Sequence, residues 1–490
     1  MKADLDRYYQ ALQAHDPRFD GIFFVAVKST KIYCRPICPA KVPMQRNCTF
    51  YPTAAAAEQA GYRPCLRCRP ELAPGNSRVD AMNRLSGLIA QQIEDGFLDN
   101  GSVADLAQEI GISERHLRRV VESEFGVSPL DLAQTARLLT AKRLLTDTNL
   151  PVTEVAYISG FASLRRFNSV FKERYNLSPS QLRKNSRSTE EIDVVRYALG
   201  FRPPFDWPSL LQFLSARSVS GVEIVDHERY IRTVKTVKGA GWIEVFLTPE
   251  VSAQNRRKPK SQEHSVTVCV SLALSRSITQ ILRKVRQLFD LDANPLVIEQ
   301  HLGALAKPRP GLRVPGAFDN FELAVRAILG QQVSVKGATT LMARYVAAYG
   351  ESIETPFEGL NRLTPAAETI AAQCPADVAA TIGIPLKRAT TIVELATAIA
   401  NKSLKLDHLT DVDQVIQRLE EIPGIGSWTA QYIAMRALRW PDAFPHGDLG
   451  IRKAMQETNS TRLIAASESW RPWRAYAAMH LWKSLPVAVK

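Results

Sequence analysis

Cysteine is scarce in this chain, at 7 of 490 residues. The odd count excludes a fully paired disulfide framework and predicts a reducing compartment. The N-terminal MKADLDRYYQALQAHD has no apolar core of the kind a signal peptide needs, so a cytoplasmic protein is expected. No apolar run reaches the roughly 20 residues that cross a bilayer, and neither a basic amphipathic helix nor a lipidation motif is seen, so no membrane partner is expected. Acidic residues are in the minority: 49 Asp and Glu face 62 Lys and Arg, a formal net charge of +13. That excess favours a polyanionic partner. The hydrophobic fraction of 45% and charged fraction of 23% are those of folded chains, and the length suggests two to four domains.

Four of the few cysteines are clustered: Cys34 and Cys38 in TKIYCRPICPA, Cys65 and Cys68 in GYRPCLRCRPE. Two close pairs a loop apart are what one tetrahedral Zn2+ requires. Residues 1–74 carry 11 Lys and Arg against 6 Asp and Glu. Arg35, Arg63, Arg67, Arg69, Lys41 and Arg46 flank the thiols, so the cluster is expected to face phosphate, and Arg35, Arg46 and Arg67 are candidate DNA contacts. A purely structural zinc remains the alternative. Cys48, Cys269 and Cys374 are scattered, and Cys48 has no assigned role.

GIFFVAVKSTKIYC predicts two short strands around a polar turn; residues 73–78 and 185–191 read as linkers. Between them the apolar period is helical, and one pattern occurs twice, at residues 102–130 and 151–184. Each copy has a short apolar helix, a glycine turn (Gly111, Gly160), a basic second helix and a Ser-Pro exit (Ser128-Pro129, Ser178-Pro179). This is helix-turn-helix spacing, with Arg115, His116, Arg118 and Arg119, then Arg165, Arg166, Asn168 and Lys172, as candidate base or phosphate contacts. One copy alone resembles any αα-corner with a glycine.

The paired copies resemble the AraC-type transcription-factor domain, and residues 5–185 as a whole resemble the N-terminal half of the Ada adaptive-response family. The resemblance implies that Cys34 accepts a methyl group from a methylated DNA phosphate, that Cys38, Cys65 and Cys68 complete the zinc shell, and that the methylated state activates transcription, with RNA polymerase as a further partner. The alkylguanine-transferase half of that family, with its PCHRV nucleophile, has no counterpart here.

From residue 192 the pattern changes to alternating segments, GVEIVDHERYIRTVKTV, GWIEVFLTP and HSVTVCVSLAL, expected as antiparallel strands, with the basic stretch 254–262 as a loop. After Ile278 helices are expected to the end. LEEIPGIGSWTAQYIAMRAL predicts a helix-hairpin-helix in which Gly424 and Gly426 let backbone amides approach a phosphate. Asp448 follows 22 residues after Gly426 and, taken alone, reads as a helix N-cap. Residues 194–485 resemble the 3-methyladenine DNA glycosylase II (AlkA) family. The resemblance implies Asp448 as the catalytic carboxylate, Trp428, Tyr432 and Trp482 as base-pocket aromatics, and Gln332 at the position where a relative carries an apolar gap-filling residue. Trp428 stands where bifunctional lyases of that superfamily carry lysine, and no C-terminal cysteine group exists for an iron–sulfur cluster, so monofunctional base excision is expected.

The expected architecture is multidomain. A small α+β zinc-binding domain (1–74) precedes an all-α double helix-turn-helix domain (80–185). An antiparallel β-sheet subdomain (192–290) and a mostly helical helix-hairpin-helix catalytic region (291–490) follow. The expected partner is double-stranded DNA, and a monomer is the default. Two alternatives stay open: a glycosylase whose first half only targets DNA, and a regulator whose second half senses damage without catalysis.

Overall fold

The computed structural model describes residues 2–74, 84–94, 96–147, 150–184, 194–249, 264–406 and 412–485. The expected linker at 185–191, most of that at 73–78, and the basic stretch 254–262 lie outside these residues. The chain divides into two compact units. One comprises Met1–Pro203, Val245–Arg283 and Leu291–Asn294; the other comprises Pro204–Glu244, Lys284–Asp290 and Pro295–Lys490.

The first unit opens with α1 (Lys2–Gln13) and a four-stranded sheet of β1 (Phe24–Val27), β2 (Ile32–Cys34), β3 (Cys48–Tyr51) and β4 (Arg63–Pro64), in the order β3-β1-β2-β4. β1 and β2 are the hairpin expected from the apolar runs around the polar turn, with Val25 opposite Cys34. β2 pairs in parallel with β4, Tyr33 opposite Pro64. Parallel strands leave the sheet at the same end, so Cys34 and Cys65, the next residues along, emerge side by side. Helix α2 (Ala54–Gln59) is capped by Thr53, whose hydroxyl accepts from Ala56 N–H at 3.1 Å.

Eight helices follow: α3 (Arg84–Glu94), α4 (Phe97–Asn100), α5 (Val103–Ile110), α6 (Glu114–Phe125), α7 (Pro129–Asp147), α8 (Val152–Ile158), α9 (Leu164–Tyr175) and α10 (Pro179–Lys184). The repeat read in the sequence is a repeat of caps. Ser113 and Ser163 start α6 and α9 by accepting from the N–H groups of His116 and Arg166. The Ser-Pro exits work alike: Ser128 accepts from Asp131 N–H and Ser178 from Gln181 N–H, both at 3.2 Å, with proline at the first helical position where its missing donor costs nothing. Gly160 has φ +86°, and a β-carbon there would stand 2.3 Å from the Asp99 carboxylate that pairs with Arg137, so the second corner needs glycine. Leu106, Leu117 and Val121 fill the core of the first pair. Phe167, Phe171 and Tyr175 pack in series through the second, the first pair tilted at a centroid spacing of 5.4 Å and the second edge-to-face at 4.6 Å. Burying each ring contributes about 2–3 kcal/mol.

Strand β5 (Val194–Gly200) pairs antiparallel with β9 (Ser265–Ser271), Val194 opposite Ser271, in the first unit. Its pattern does not announce it, because one strand between a linker and a Pro-rich turn is too short to show an alternation. In the second unit β6 (Glu223–Val225) pairs antiparallel with β7 (Arg229–Thr236), and β8 (Gly239–Leu247) is divided between the units at Val245. These are the strands expected from the alternating segments.

Beyond Ile278 the described chain is helical, as expected, apart from an isolated bridge between Ser352 and Arg362. The helices that frame the site are Asn320–Leu329, Leu386–Ala400, Val412–Glu420, Ser427–Arg436, Leu449–Met455 and Arg474–Ser484. Their inward faces, with Ile328, Leu329, Val415, Leu419, Ile433, Ile451 and Leu481, are buried together in the core of this unit.

Candidate cysteine and carboxylate sites

The four cysteines of the two pairs converge. Their sulfurs all lie within 4.8 Å of one another and all four residues are buried. A tetrahedral zinc with Zn–S bonds of about 2.3 Å needs sulfurs about 3.8 Å apart, so the residues fit the ion. Backbone N–H groups point at the cluster: Arg35 donates to Cys68 Sγ and Arg67 to Cys65 Sγ, each at 3.3 Å. Such donors favour the thiolate form. Cys34 and Cys65 keep 8% of their surface exposed, Cys38 4% and Cys68 none.

Arg35 is a correction to the sequence reading. Expected on a DNA-facing surface, it is 1% exposed. Its Nε donates to Asp20 Oδ1 at 2.8 Å, its Nη2 pairs with Asp20 Oδ2, and its Nη1 donates to the Cys68 carbonyl at 3.1 Å. A guanidinium with that many fixed acceptors is a strut behind the cysteine loop. Asp20, 15 residues upstream and 2% exposed, is the partner that a search for basic residues near the cysteines overlooks. Lys41, Arg46 and Arg67 are exposed, as is Leu66.

On α6, Arg115 and Arg119 are exposed, and His116 meets Arg119 through Nδ1 at 3.0 Å. Arg118 is engaged on its own helix, 2.6 Å from Glu114. On α9, Arg165, Arg166, Asn168 and Lys172 are all exposed. Both second helices therefore carry the basic rows the repeats predicted.

In the second unit the hairpin lies between Val412–Glu420 and Ser427–Arg436. Gly424 has φ +95°, and a β-carbon there would stand 2.3 Å from Thr391 Oγ1. Thr391 donates to the Pro423 carbonyl at 2.7 Å and ties the hairpin to the helix Leu386–Ala400. Gly426 N-caps the following helix and is exposed. The neighbouring loop is clamped to the hairpin by Gln331, whose Nε2 donates to the Gly424 carbonyl at 2.8 Å and to Thr429 Oγ1 at 3.0 Å. Arg388 holds the Gln331 carbonyl at 2.9 Å. Gln332, next in the chain, is exposed with φ +57°.

Asp448 is the helix N-cap that its sequence context allowed. Its Oδ1 accepts from Gly450 and Ile451 N–H at 2.8 and 3.0 Å, capping Leu449–Met455. The same carboxylate accepts Trp482 Nε1–H at 2.8 Å and Trp428 Nε1–H at 3.3 Å. The three candidate pocket aromatics meet there: Trp428 stacks on Tyr432 at 5.6 Å, and Tyr432 lies 6.4 Å from Trp482. Arg436 Nη1 donates to the Tyr432 hydroxyl at 2.9 Å. Burial alone pushes that hydroxyl up, but Arg436, Arg217 and Arg326 together bring it below the ordinary tyrosine value. The arginines went unremarked in the sequence because two of them sit more than 100 residues upstream of Tyr432.

A buried thiol cluster beside paired helix-turn-helix units, and a capped carboxylate among aromatics behind a helix-hairpin-helix, define a DNA-repair protein joined to a DNA-binding regulator. Residues 7–71 match the metal binding domain of Ada, 106–185 a helix-turn-helix domain, 196–319 the AlkA N-terminal domain, and 325–471 the HhH-GPD superfamily of base excision DNA repair proteins. The chain is 38% identical, over 99% of its length and 97% of the relative's, to the Mycobacterium tuberculosis protein named "Probable bifunctional transcriptional activator/DNA repair enzyme AlkA". It is 37% identical to the DNA-3-methyladenine glycosylase 2 of Escherichia coli over 58% of this chain and 96% of that one. Identity to the AdaA transcriptional activator/DNA repair enzyme of Bacillus subtilis is 31%, over 38% of this chain and 85% of that one. The chain belongs to the family of bifunctional transcriptional activator/DNA repair proteins of the AlkA type. No helix among the described residues is long and apolar enough to cross a membrane.

Proposed function

We propose that this protein takes methyl groups from DNA methylphosphotriesters onto Cys34, activates transcription in that state, and excises alkylated purines with Asp448. The observation that carries the excision reading is the Asp448 carboxylate, fixed by two indole and two backbone N–H donors in front of aromatic rings. An N3- or N7-alkylated purine is cationic and leaves readily: the N-glycosidic bond breaks, its electron pair departs with the base, and the base becomes neutral. Asp448 stabilises the positive charge that grows on the sugar and orients the water whose oxygen bonds to C1′, the water's proton passing to solvent. Trp428, Tyr432 and Trp482 offer π faces to the flipped base. With no lysine at position 428, the reaction stops at an abasic site. The substrates are 3-methyladenine and 7-methylguanine in double-stranded DNA.

In the first unit one zinc ion, bound by Cys34, Cys38, Cys65 and Cys68, would keep the thiols deprotonated near neutral pH. The Cys34 thiolate attacks the methyl carbon of a neutral phosphotriester; the S–C bond forms, the C–O bond breaks, and an ordinary phosphodiester anion leaves. The thioether does not return the methyl, so the step runs once per molecule. Cys34 and Cys65 are equally exposed, so the choice of Cys34 rests on its motif. The burial of all four cysteines equally favours a second reading, a purely structural zinc. Arg46 and Arg67, the α6 and α9 side chains Arg115, His116, Arg119, Arg165 and Arg166, and Gln332 with the hairpin glycines 424 and 426 are the proposed DNA contacts. RNA polymerase is the proposed partner of the methylated form, and the protein acts as a monomer.

Duplex DNA carrying radiolabelled methyl groups, incubated with the zinc-loaded chain, tests both chemistries. Label on the peptide containing Cys34 together with free methylpurines is the expected result. Free base alone reduces the cysteine site to structure, and label on protein alone removes the excision activity.

A further inference from the structure

Buried and half-buried polar side chains run from the cysteine loop to helix α7. Lys142 of α7 is 1% exposed; its ammonium lies 2.5 Å from Glu71 Oε2 and 3.4 Å from the Cys65 carbonyl. Glu71 also accepts from Arg69 Nε at 3.1 Å, and Arg69 Nη2 donates to Thr146 Oγ1 of α7 at 3.0 Å. A second strand begins beside Cys34. The Tyr33 hydroxyl donates to Glu58 Oε1 at 3.0 Å, and Thr135 Oγ1 of α7 donates to Glu58 Oε2 at 3.1 Å. Thr135, Lys142 and Thr146, spaced by seven and then four residues, form one stripe along the helix. The carbonyl of Glu58 holds Arg174 of α9 at 3.0 Å, and Thr53 donates to the Phe125 carbonyl at the end of α6 at 3.4 Å.

A buried Lys–Glu pair is a poor source of stability, since apolar side chains of similar size serve as well or better; its better-attested use is in fixing a register or a switch. We propose that this stripe makes α7 the receiver of the cysteine cluster's state. Cys65 and Cys68 belong to the loop that Lys142 and Arg35 hold by its carbonyls. A change in the charge or geometry of the sulfurs alters the field at the Lys142 ammonium and the pull on α7. The helix passes it to α6 and α9, whose C-terminal turns are pinned to the same domain. The signal rests on the methyl-acceptor reading of Cys34, while the coupling itself is a property of the stripe and obeys reciprocity: what changes α7 changes metal affinity.

The test is hydrogen exchange on the full chain, zinc-loaded and zinc-stripped, with zinc affinity measured by chelator competition. Zinc is expected to slow exchange across residues 129–147 at least tenfold. The neutral pair Lys142→Met with Glu71→Gln is expected to abolish that response and shift zinc affinity at least tenfold while retaining cooperative unfolding. Should that variant not fold, Thr135→Val, which removes a single donated hydroxyl, is expected to reduce the response at least twofold. Exchange in α7 that ignores zinc overturns the proposal, as does a full response in the folded variant. If label never reaches Cys34 while α7 still answers zinc, the methyl-acceptor reading fails and the coupling stands; label on Cys34 with a silent α7 is the reverse.

Discussion

The cysteine site of the first unit is held from behind by buried ion pairs, Asp20 with Arg35 and Glu71 with Lys142, whereas Asp448 in the second is held by neutral donors, two indole and two backbone N–H groups. The two proposed chemistries account for the difference. A thiolate cluster that loses one negative charge on methylation benefits from counter-charges nearby to register the loss. A carboxylate facing charge that develops on a sugar must remain uncompensated until then, and neutral donors orient it without cancelling it.

Exchanging one atom at each site breaks the comparison most sharply. Asp448→Asn keeps an N-cap acceptor, so the helix Leu449–Met455 stays, yet base release should fall about 100- to 1,000-fold with methyl uptake unchanged. Cys34→Ser should abolish protein labelling and leave base release untouched. Single-turnover assays on methylated duplex measure both, and loss of both activities in either variant sinks the picture of independent sites.

Chelation sharpens it next. All seven tryptophans, from Trp207 to Trp482, belong to the second unit, so tryptophan fluorescence follows that unit alone. Removing zinc should lower the stability of the first unit while the fluorescence melt and base excision are preserved. A fluorescence melt that moves with zinc would contradict this separation.

Two buried groups, Glu58 in the first unit and His480 in the second, should contribute to pH dependence with opposite signs. Burial raises the Glu58 carboxyl from 4.5 to about 7, against the pull of Tyr33 and Thr135. The folded state therefore holds a proton the unfolded chain has lost, and stability falls as pH rises from 4.5 to 7, on the order of 3 kcal/mol in all. Burial, reinforced by Arg309, lowers His480 from 6.5 to about 4, so the second unit loses a similar amount as pH falls from 6.5 to 4. In denaturant melts Glu58→Gln should remove the first contribution and His480→Gln the second; a variant that keeps the full wild-type pH dependence would refute its assignment.

The smallest effect separates the hairpin glycines. Gly424→Ala meets both a positive φ and Thr391, and should destabilise the hairpin by about 1–2 kcal/mol. Gly426→Ala has φ −96° and open space, so its melt should be unchanged and any weakening shows in DNA affinity alone. Equal melts for the two would contradict this.

The local signals were legible in the sequence: the cysteine pairs, the doubled helix-turn-helix pattern, the hairpin and the capping role of Asp448, each carried by neighbours a few residues apart. Less visible was everything that depends on charge meeting charge across the fold. Arg35 reads as a DNA contact because its neighbours are basic, and only the sheet brings Asp20 to it. Lys142 and Glu58 look like ordinary surface residues of amphipathic helices until α7 meets the cysteine domain. Asp448 left two readings open because one carboxylate has lone pairs enough for both.

That double use of Asp448 has a consequence for inheritance. Asparagine at this position keeps the cap, and the hairpin is held separately by Gln331 and Thr391. If Asp448 is the catalytic carboxylate as proposed, such an allele makes a folded protein that binds lesions and leaves them in place. In a cell that also carries the intact gene it competes for the same damage, so the harm comes from occupancy rather than absence, and no screen for folding or expression detects it.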